Sequence, residues 1–452
     1  MASPPTLGSA LRESTVRSAR EPVAQTRYVL RWLALVLPVA LAIGSAVAFF
    51  LWALGQVTAL RLAHPWLLWW LPVGGVVVAS LYQRYGGNAD RGNTLIVEEL
   101  HEPGAGVPGR MAPLVLLGTL VTHLLGGSAG REGTSVQMGG SIASTIGRTV
   151  YGWLPGSGRL SPEDQRDLLQ AGLAAGFGAV FGTPITGAIF AVEVLAIGRL
   201  SYAALVPCLM AALIGDWTTL AWGTHHLAYP MLSLDALGVG HLDPLLFLKV
   251  AVAAAAFGLA SRVFAEGVHL LHRMLAHRLP RPWTRPALGG VVVIALTLVV
   301  GSRDYLGLGD TSPDPQAVTI ASSFVAGGAM AWSWLLKLVF TVITVGSGFR
   351  GGEVTPLFFV GAALGNVLAG LLHAPVALFA GLGFVAVFAG AANTPLACTI
   401  MGLELFGADA AAYFATACFI AYLFSGHRGI YVAQRADASK GGIAARGAGN
   451  PT

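Results

Sequence analysis

Two glutamates carry the chemistry of this sequence, each in the same setting. The first lies in Gly126-Gly-Ser-Ala-Gly-Arg131-Glu132-Gly133-Thr134, the second in Gly346-Ser-Gly-Phe-Arg350-Gly351-Gly352-Glu353-Val354-Thr355-Pro356. Both are glycine-rich turns with an acid, a Thr two residues later, and a helix-like run beyond. A glycine turn feeding a helix start offers free backbone N–H groups and the positive end of the helix dipole, which make an anion site. A carboxylate placed there can fill the site itself, or vacate it when protonated. That pattern suits anion movement, in a stretch where a carboxylate is expensive to keep.

The elements that must hold these turns are membrane helices. The chain is 55% hydrophobic and 11% charged, whereas soluble domains have roughly a quarter of their residues charged. Apolar runs recur over Tyr28–Leu54, Trp66–Leu81, Ala112–Leu125, Leu245–Ala260, Ala287–Val300, Val376–Ala389 and Ala408–Phe424. Several are shorter than the roughly 20 residues of a perpendicular span, so tilted, broken or re-entrant helices are expected. The 59 glycines fit close helix contacts and broken backbone lining a cavity. The fold class is therefore an all-α polytopic membrane protein.

Charge orients it. The first 31 residues carry Arg12, Arg17, Arg20, Arg27 and Arg31 against two acids, with no cleavage site after a short apolar core, so residues 1–27 read as a cytoplasmic segment and not a removable signal peptide. The tail 432–452, with Lys440 and Arg446, reads as cytoplasmic too. Arg262–Arg285, including His269, His272 and His277, reads as an exposed basic helix or loop in preference to a metal site. The net charge of +5 is explained by loop cations and calls for no nucleic acid. Cys208, Cys398 and Cys418 are isolated in apolar runs, as small core residues.

The two halves repeat. Thr183-Pro184 is followed by Glu193, and Thr394-Pro395 by Glu404, nine residues after Pro in both (193 − 184 = 404 − 395). The acid turns are offset by 353 − 132 = 221 and the Thr-Pro motifs by 395 − 184 = 211, the difference fitting a polar loop over Tyr151–Arg166. Matched motifs in one order indicate an internal duplication, with halves at 28–228 and 245–431 and a connection over 229–244. Transporters built from such repeats place their ion site near the midplane, where broken helices meet. Spacing alone leaves parallel and inverted repeats both open.

In these motifs the chain resembles the chloride channel and transporter (CLC) family over its transmembrane length. Gly130-Arg131-Glu132-Gly133 matches the motif whose glutamate gates the anion path from outside and carries the proton. Gly352-Glu-Val-Thr-Pro356 stands at the motif whose backbone amides hold the central anion. Tyr431 stands where a tyrosine hydroxyl meets that anion. The resemblance implies the family's fold of two inverted repeats, a homodimer with one pore per subunit, and no cofactor or metal.

The departures resemble the fluoride/proton antiporters among bacterial members. The family's first motif is replaced by Gly92-Asn93-Thr94-Leu95-Ile96, Thr134 stands at a Pro, Glu353 replaces an aliphatic residue and Val354 a Phe. The internal proton glutamate of many exchangers falls at Val194 and is absent. Fluoride is small and tightly hydrated, so short, strong donors must replace its water. Asn93 or Thr94, the Glu353 and Val354 amides, Thr355 and Tyr431 can supply them, with Arg131 and Gly133 beside the gate. The implied partners are fluoride, or chloride as the alternative, protons and the bilayer of a bacterial inner membrane.

Blander readings stand beside these. A lone Glu at a glycine turn is commonly a helix cap. Glu193 and Glu404 read better as helix-end or interhelical hydrogen-bonding residues than as transport groups. Trp66, Trp69 and Trp70 read as interface anchors, and interfacial Tyr is common. No Ser-His turn or His-Glu-x-x-His helix supports an enzyme.

Overall fold

The computed structural model describes residues 7–150, 160–197, 202–226 and 242–436, with positions 229, 234, 240 and 440. The first six residues, the 151–159 part of the polar loop, most of the 229–244 connection and the tail beyond Ala436 except Lys440 lie outside the described residues.

The described chain is helical almost throughout. In the first half, α1 covers Leu7–Ala63, α2 Leu71–Leu81, α3 Asn93–His101, α4 Met111–Leu124 and α5 Glu132–Thr145. They are followed by α6 (Pro162–Phe181), α7 (Pro184–Glu193) and α8 (Leu205–Ala221). The second half holds α9 (Pro244–Arg278), α10 (Thr284–Val300), α11 (Ser333–Gly346) and α12 (Val354–Leu372). It closes with α13 (Val376–Ala392), α14 (Pro395–Phe406) and α15 (Ala411–Phe424). One short parallel strand pair, Ala196–Ile197 with Arg435–Ala436, ties the end of the second half to the first.

Helix boundaries follow local chemistry. Pro occupies the first position of α6, α7, α9 and α14, where its missing N–H costs nothing. The Ser161 side chain accepts from the Asp164 amide, and Asp243 from the Leu245 and Leu246 amides. The polar residues Glu163–Arg166, expected in a loop, are thus the first turn of α6. α1 starts at Leu7, and its apolar, membrane-spanning part covers Pro22–Ala63.

Long and broken helices alternate. A span of 42 residues over Pro22–Ala63 and one of 35 over Pro244–Arg278 are long enough to cross a bilayer at a tilt, while α4, α7 and α10 are among the apolar helices of 10–17 residues. Exposed apolar residues such as Phe49, Trp52, Trp217, Leu248 and Val252 coat the outside.

The repeats are visible in the packing. Gly139, Gly172 and Gly176 let α5 and α6 touch backbone to backbone, and Gly361, Gly365 and Gly383 do the same for the equivalent α12 and α13. The Glu193 carboxylate accepts from the Leu396 and Ala397 amides at 3.0 and 2.7 Å, capping α14. Glu404 accepts from the Ile185 and Thr186 amides at 3.0 and 2.8 Å, capping α7. Each helix end meets its counterpart's beginning, so the two equivalent helices run antiparallel and the repeats are inverted.

Candidate functional site

The two glycine turns, more than two hundred residues apart in sequence, bond to each other. The Gly130 amide donates to the Gly352 carbonyl at 2.6 Å and the Gly352 amide to the Gly130 carbonyl at 2.7 Å. This antiparallel bridge sets the first turns of α5 and α12 head to head. A Cβ on Gly352 would lie 2.8 Å from the Gly133 nitrogen and 3.0 Å from the Glu132 nitrogen, so glycine is required there by close approach. Gly351, at φ +153, would press a Cβ against Ala129.

Between these helix starts lies Glu132, 1% exposed. Its Oε2 accepts from the Arg131 and Thr355 amides, both at 3.1 Å, and its Oε1 accepts from the Thr355 hydroxyl. The Arg131 Nε stands 3.6 Å from Oε1. The carboxylate thus occupies the amide cradle that opens α12, as an anion would.

The surroundings brace this arrangement. The Thr119 and Thr134 hydroxyls are 2.7 Å apart, and the Ser128 hydroxyl lies 2.9 Å from that of Thr341. The buried His123 ring, Nε2 3.3 Å from the Gly130 carbonyl, holds the bridge from behind.

Most of the expected site residues assemble here. Glu353 precedes α12, is partly buried, and its carboxylate makes no hydrogen bond among the described residues. Val354 is buried at the first position of α12. The Asn93 amide nitrogen would be 3.6 Å from a Cβ on Gly133, which puts Asn93 beside the bridge, with its Oδ1 buried and unpaired. Thr94 is partly buried one residue on, and no hydrogen bond links its hydroxyl to the turns.

Tyr431 is buried on a segment held by the Ile430 amide donating to the Ala391 carbonyl at 2.8 Å. Both Glu353 and Glu132 are near enough to act on it electrostatically. Its ring meets Phe190 edge-on at 6.1 Å. That contact belongs to an aromatic cluster absent from the sequence reading. Phe358 stacks on Phe384 at 3.9 Å, and Phe177 on Phe190 at 4.3 Å. Phe177 and Phe388 each precede the Thr-Pro proline by seven residues (184 − 177 = 395 − 388) and stack at 6.3 Å. That match of position was the available signal.

Cavities approach the site from two ends. One, of about 540 Å³, is walled by His269, His272, Arg273, His427, Arg428 and Tyr431 among others. His272 is exposed and His269 half-buried, on the basic end of α9. The other, of about 470 Å³, is lined by Arg131, Trp52, Trp222, His225 and His226 among others. No group of three or more His, Cys, Asp or Glu that could hold a metal exists among the described residues.

Comparison with known proteins is decisive for the family. The model of the voltage gated chloride channel family matches residues 74–426, most of the chain and both glycine turns. The chain belongs to this family. It is accordingly a multi-pass membrane transport protein and not an enzyme. Among its CLC relatives, a chloride/fluoride channel protein of Pseudomonas syringae pv. tomato is 47% identical over 416 residues, covering 91% of this chain and 88% of the relative. The crystal structure of a CLC-type fluoride/proton antiporter superposes with a TM-score of 0.82 at 35% identity, over 90% of this chain and 98% of that one. A slow cyanobacterial Cl−/H+ antiporter, at 20% identity and a TM-score of 0.69 over 89% and 96%, shares the fold.

Proposed function

We propose that this CLC protein is a fluoride/proton antiporter that exports fluoride across the bacterial inner membrane, working as a homodimer with a pore in each subunit. The observation that carries the reading is the Glu132 carboxylate lying in the α12 amide cradle against Thr355. Anion and carboxylate compete for one set of donors. When Glu132 takes a proton, it loses its charge and its hold on the cradle, and a fluoride replaces it. When fluoride leaves, Glu132 returns its proton and rebinds. Exchange follows because the site holds one negative charge at a time.

In this reading the Glu353, Val354 and Thr355 amides, the Thr355 hydroxyl, Asn93 and the Tyr431 hydroxyl form the fluoride's replacement for water. Glu353, whose carboxylate has no fixed partner among the described residues, serves as a second proton-accepting group or as a neutral donor beside the ion. The antiporter structure is named for fluoride, which supports this choice over chloride, while the name of the Pseudomonas relative carries both ions. The test is efflux of fluoride and of chloride, each by ion-selective electrode, from proteoliposomes holding the purified protein. Fluoride should leave far faster. Chloride leaving as readily would leave only an anion transporter of unspecified selectivity.

A further inference from the structure

The cavity beside Arg131 has a feature the exchange scheme does not use. Two of the residues lining it, Arg131 and His226, hold a buried nitrogen without a hydrogen-bond partner, and the equally unpaired Asp216 Oδ1 lies behind His226. His226 Nε2 and Asp216 Oδ1 face each other at 3.4 Å, an imidazole in the wall of a cavity of about 470 Å³ with a carboxylate behind it. Its walls are largely apolar, but Ser45, Thr224, His225, His226 and Arg131 form a polar side, and a volume many times that of a water molecule, about 30 Å³, leaves room for water along it. It reaches Arg131, whose Nε is 3.6 Å from the Glu132 carboxylate.

Its side of the membrane follows from α1. The cavity touches α1 at Ser45 to Trp52, roughly 30 Å along the helix from the basic Arg27–Arg31 end. With that end cytoplasmic, the cavity opens outward, where Trp52 and Trp222 sit in its wall.

Resting on the antiporter reading, we propose that His226, held by Asp216, collects protons from the outer solution and delivers them through this cavity to Glu132. A proton from outer water adds to the neutral imidazole, whose Nε2 stands 3.4 Å from the Asp216 carboxylate. The imidazolium releases a proton to cavity water, which passes one to the Glu132 carboxylate. His226 ends neutral, Glu132 ends neutral, and Asp216 is unchanged. An exporter run by inward proton movement needs this supply most when the outside is alkaline.

The other groups facing the pair are few. Arg131 and Glu132 come from the start of α5, and His225 from the same segment. The wall from α1 contributes no titratable side chain, and α6 contributes only the Gly182 end, packed on the His226 ring. Tyr229, Tyr431 and His123 are further titratable groups near Arg131 or Glu132.

The test uses proteoliposomes loaded with fluoride, with proton uptake recorded as external pH is varied at fixed internal pH. Wild-type coupling is established first, so that failure of the antiporter reading is seen separately. His226→Ala and His226→Gln should slow proton uptake roughly tenfold or more at about pH 8, with rates approaching wild type near pH 5.5. Asp216→Asn should shift the profile the same way, less steeply. External imidazole should restore His226→Ala, which a structural role would not allow, and fluoride affinity by calorimetry should stay unchanged in all variants. Coupled wild type with variants of the same pH profile, or a loss equal at every pH and untouched by imidazole, overturns the proposal.

Discussion

Glu132 is bound by three donors, and the proposed exchange has it leave them once per cycle. Replacing it with Gln fixes the neutral form and removes the proton carrier. Proton movement in Glu132→Gln should fall to background whatever the anion flux does, measured by pH electrode during fluoride efflux. Thr355 supplies both an amide and a hydroxyl to the carboxylate. Thr355→Val keeps the amide and removes the hydroxyl, a hydrogen bond to a charged group worth about 1.5–3 kcal/mol. Fluoride affinity by calorimetry should drop about tenfold or more. Changing Glu353 to Leu should shrink the preference for fluoride over chloride, read from paired efflux rates; an unchanged ratio would take Glu353 out of selectivity. At this scale the motifs made Glu132, Glu353 and Tyr431 legible in the sequence. His123 and His226 were not, because an isolated His acquires meaning only from partners such as the Gly130 carbonyl and Asp216, distant in the chain.

The working elements are helix starts, and their spacing is set by glycine. Gly352→Ala would place a methyl group on the Gly133 and Glu132 nitrogens, with no flexible side chain to give way. Separating the bridged turns should cost about 1–3 kcal/mol and weaken fluoride binding strongly in protein that still inserts. The reciprocal caps behave differently. Glu193→Gln weakens two amide contacts at the α14 start, so about 1 kcal/mol of stability is expected to be lost with fluoride affinity nearly intact. Comparing the two variants by calorimetry and thermal unfolding separates a site from a support. Intact binding in Gly352→Ala with clear loss in Glu193→Gln would mean the site lies on the wrong motif. Glu193 and Glu404 could be read as helix-end groups beforehand, but their mutual capping needs the fold. Boundaries were least legible where polar residues served as caps: Glu163–Arg166 look like loop and form a helix start, since the Ser161 cap decides locally.

At the scale of the molecule, inversion follows from the caps and the bridge, which spacing alone left open. The duplicated Thr-Pro and acid turns showed that two halves exist; only contacts such as Glu193 with Ala397 and Gly130 with Gly352 show their relative direction. The inverted pair puts two positive helix ends face to face, between a basic cavity and a mixed one. Exposed Ile185, Leu213, Trp217 and Phe419 on α7, α8 and α15 give apolar surface for a second copy or for lipid, so a dimer mass is expected for the purified protein in mild detergent. The claim tying these scales together is that fluoride and a proton exchange through Glu132. The most direct measurement is proton movement driven by a fluoride gradient in proteoliposomes, with chloride in parallel. Fluoride leaving the vesicles should drive protons in, building a pH difference that Glu132→Gln abolishes and that chloride scarcely produces. Fluoride leaving at full rate with no accompanying proton movement would contradict the account and make the protein a passive pore.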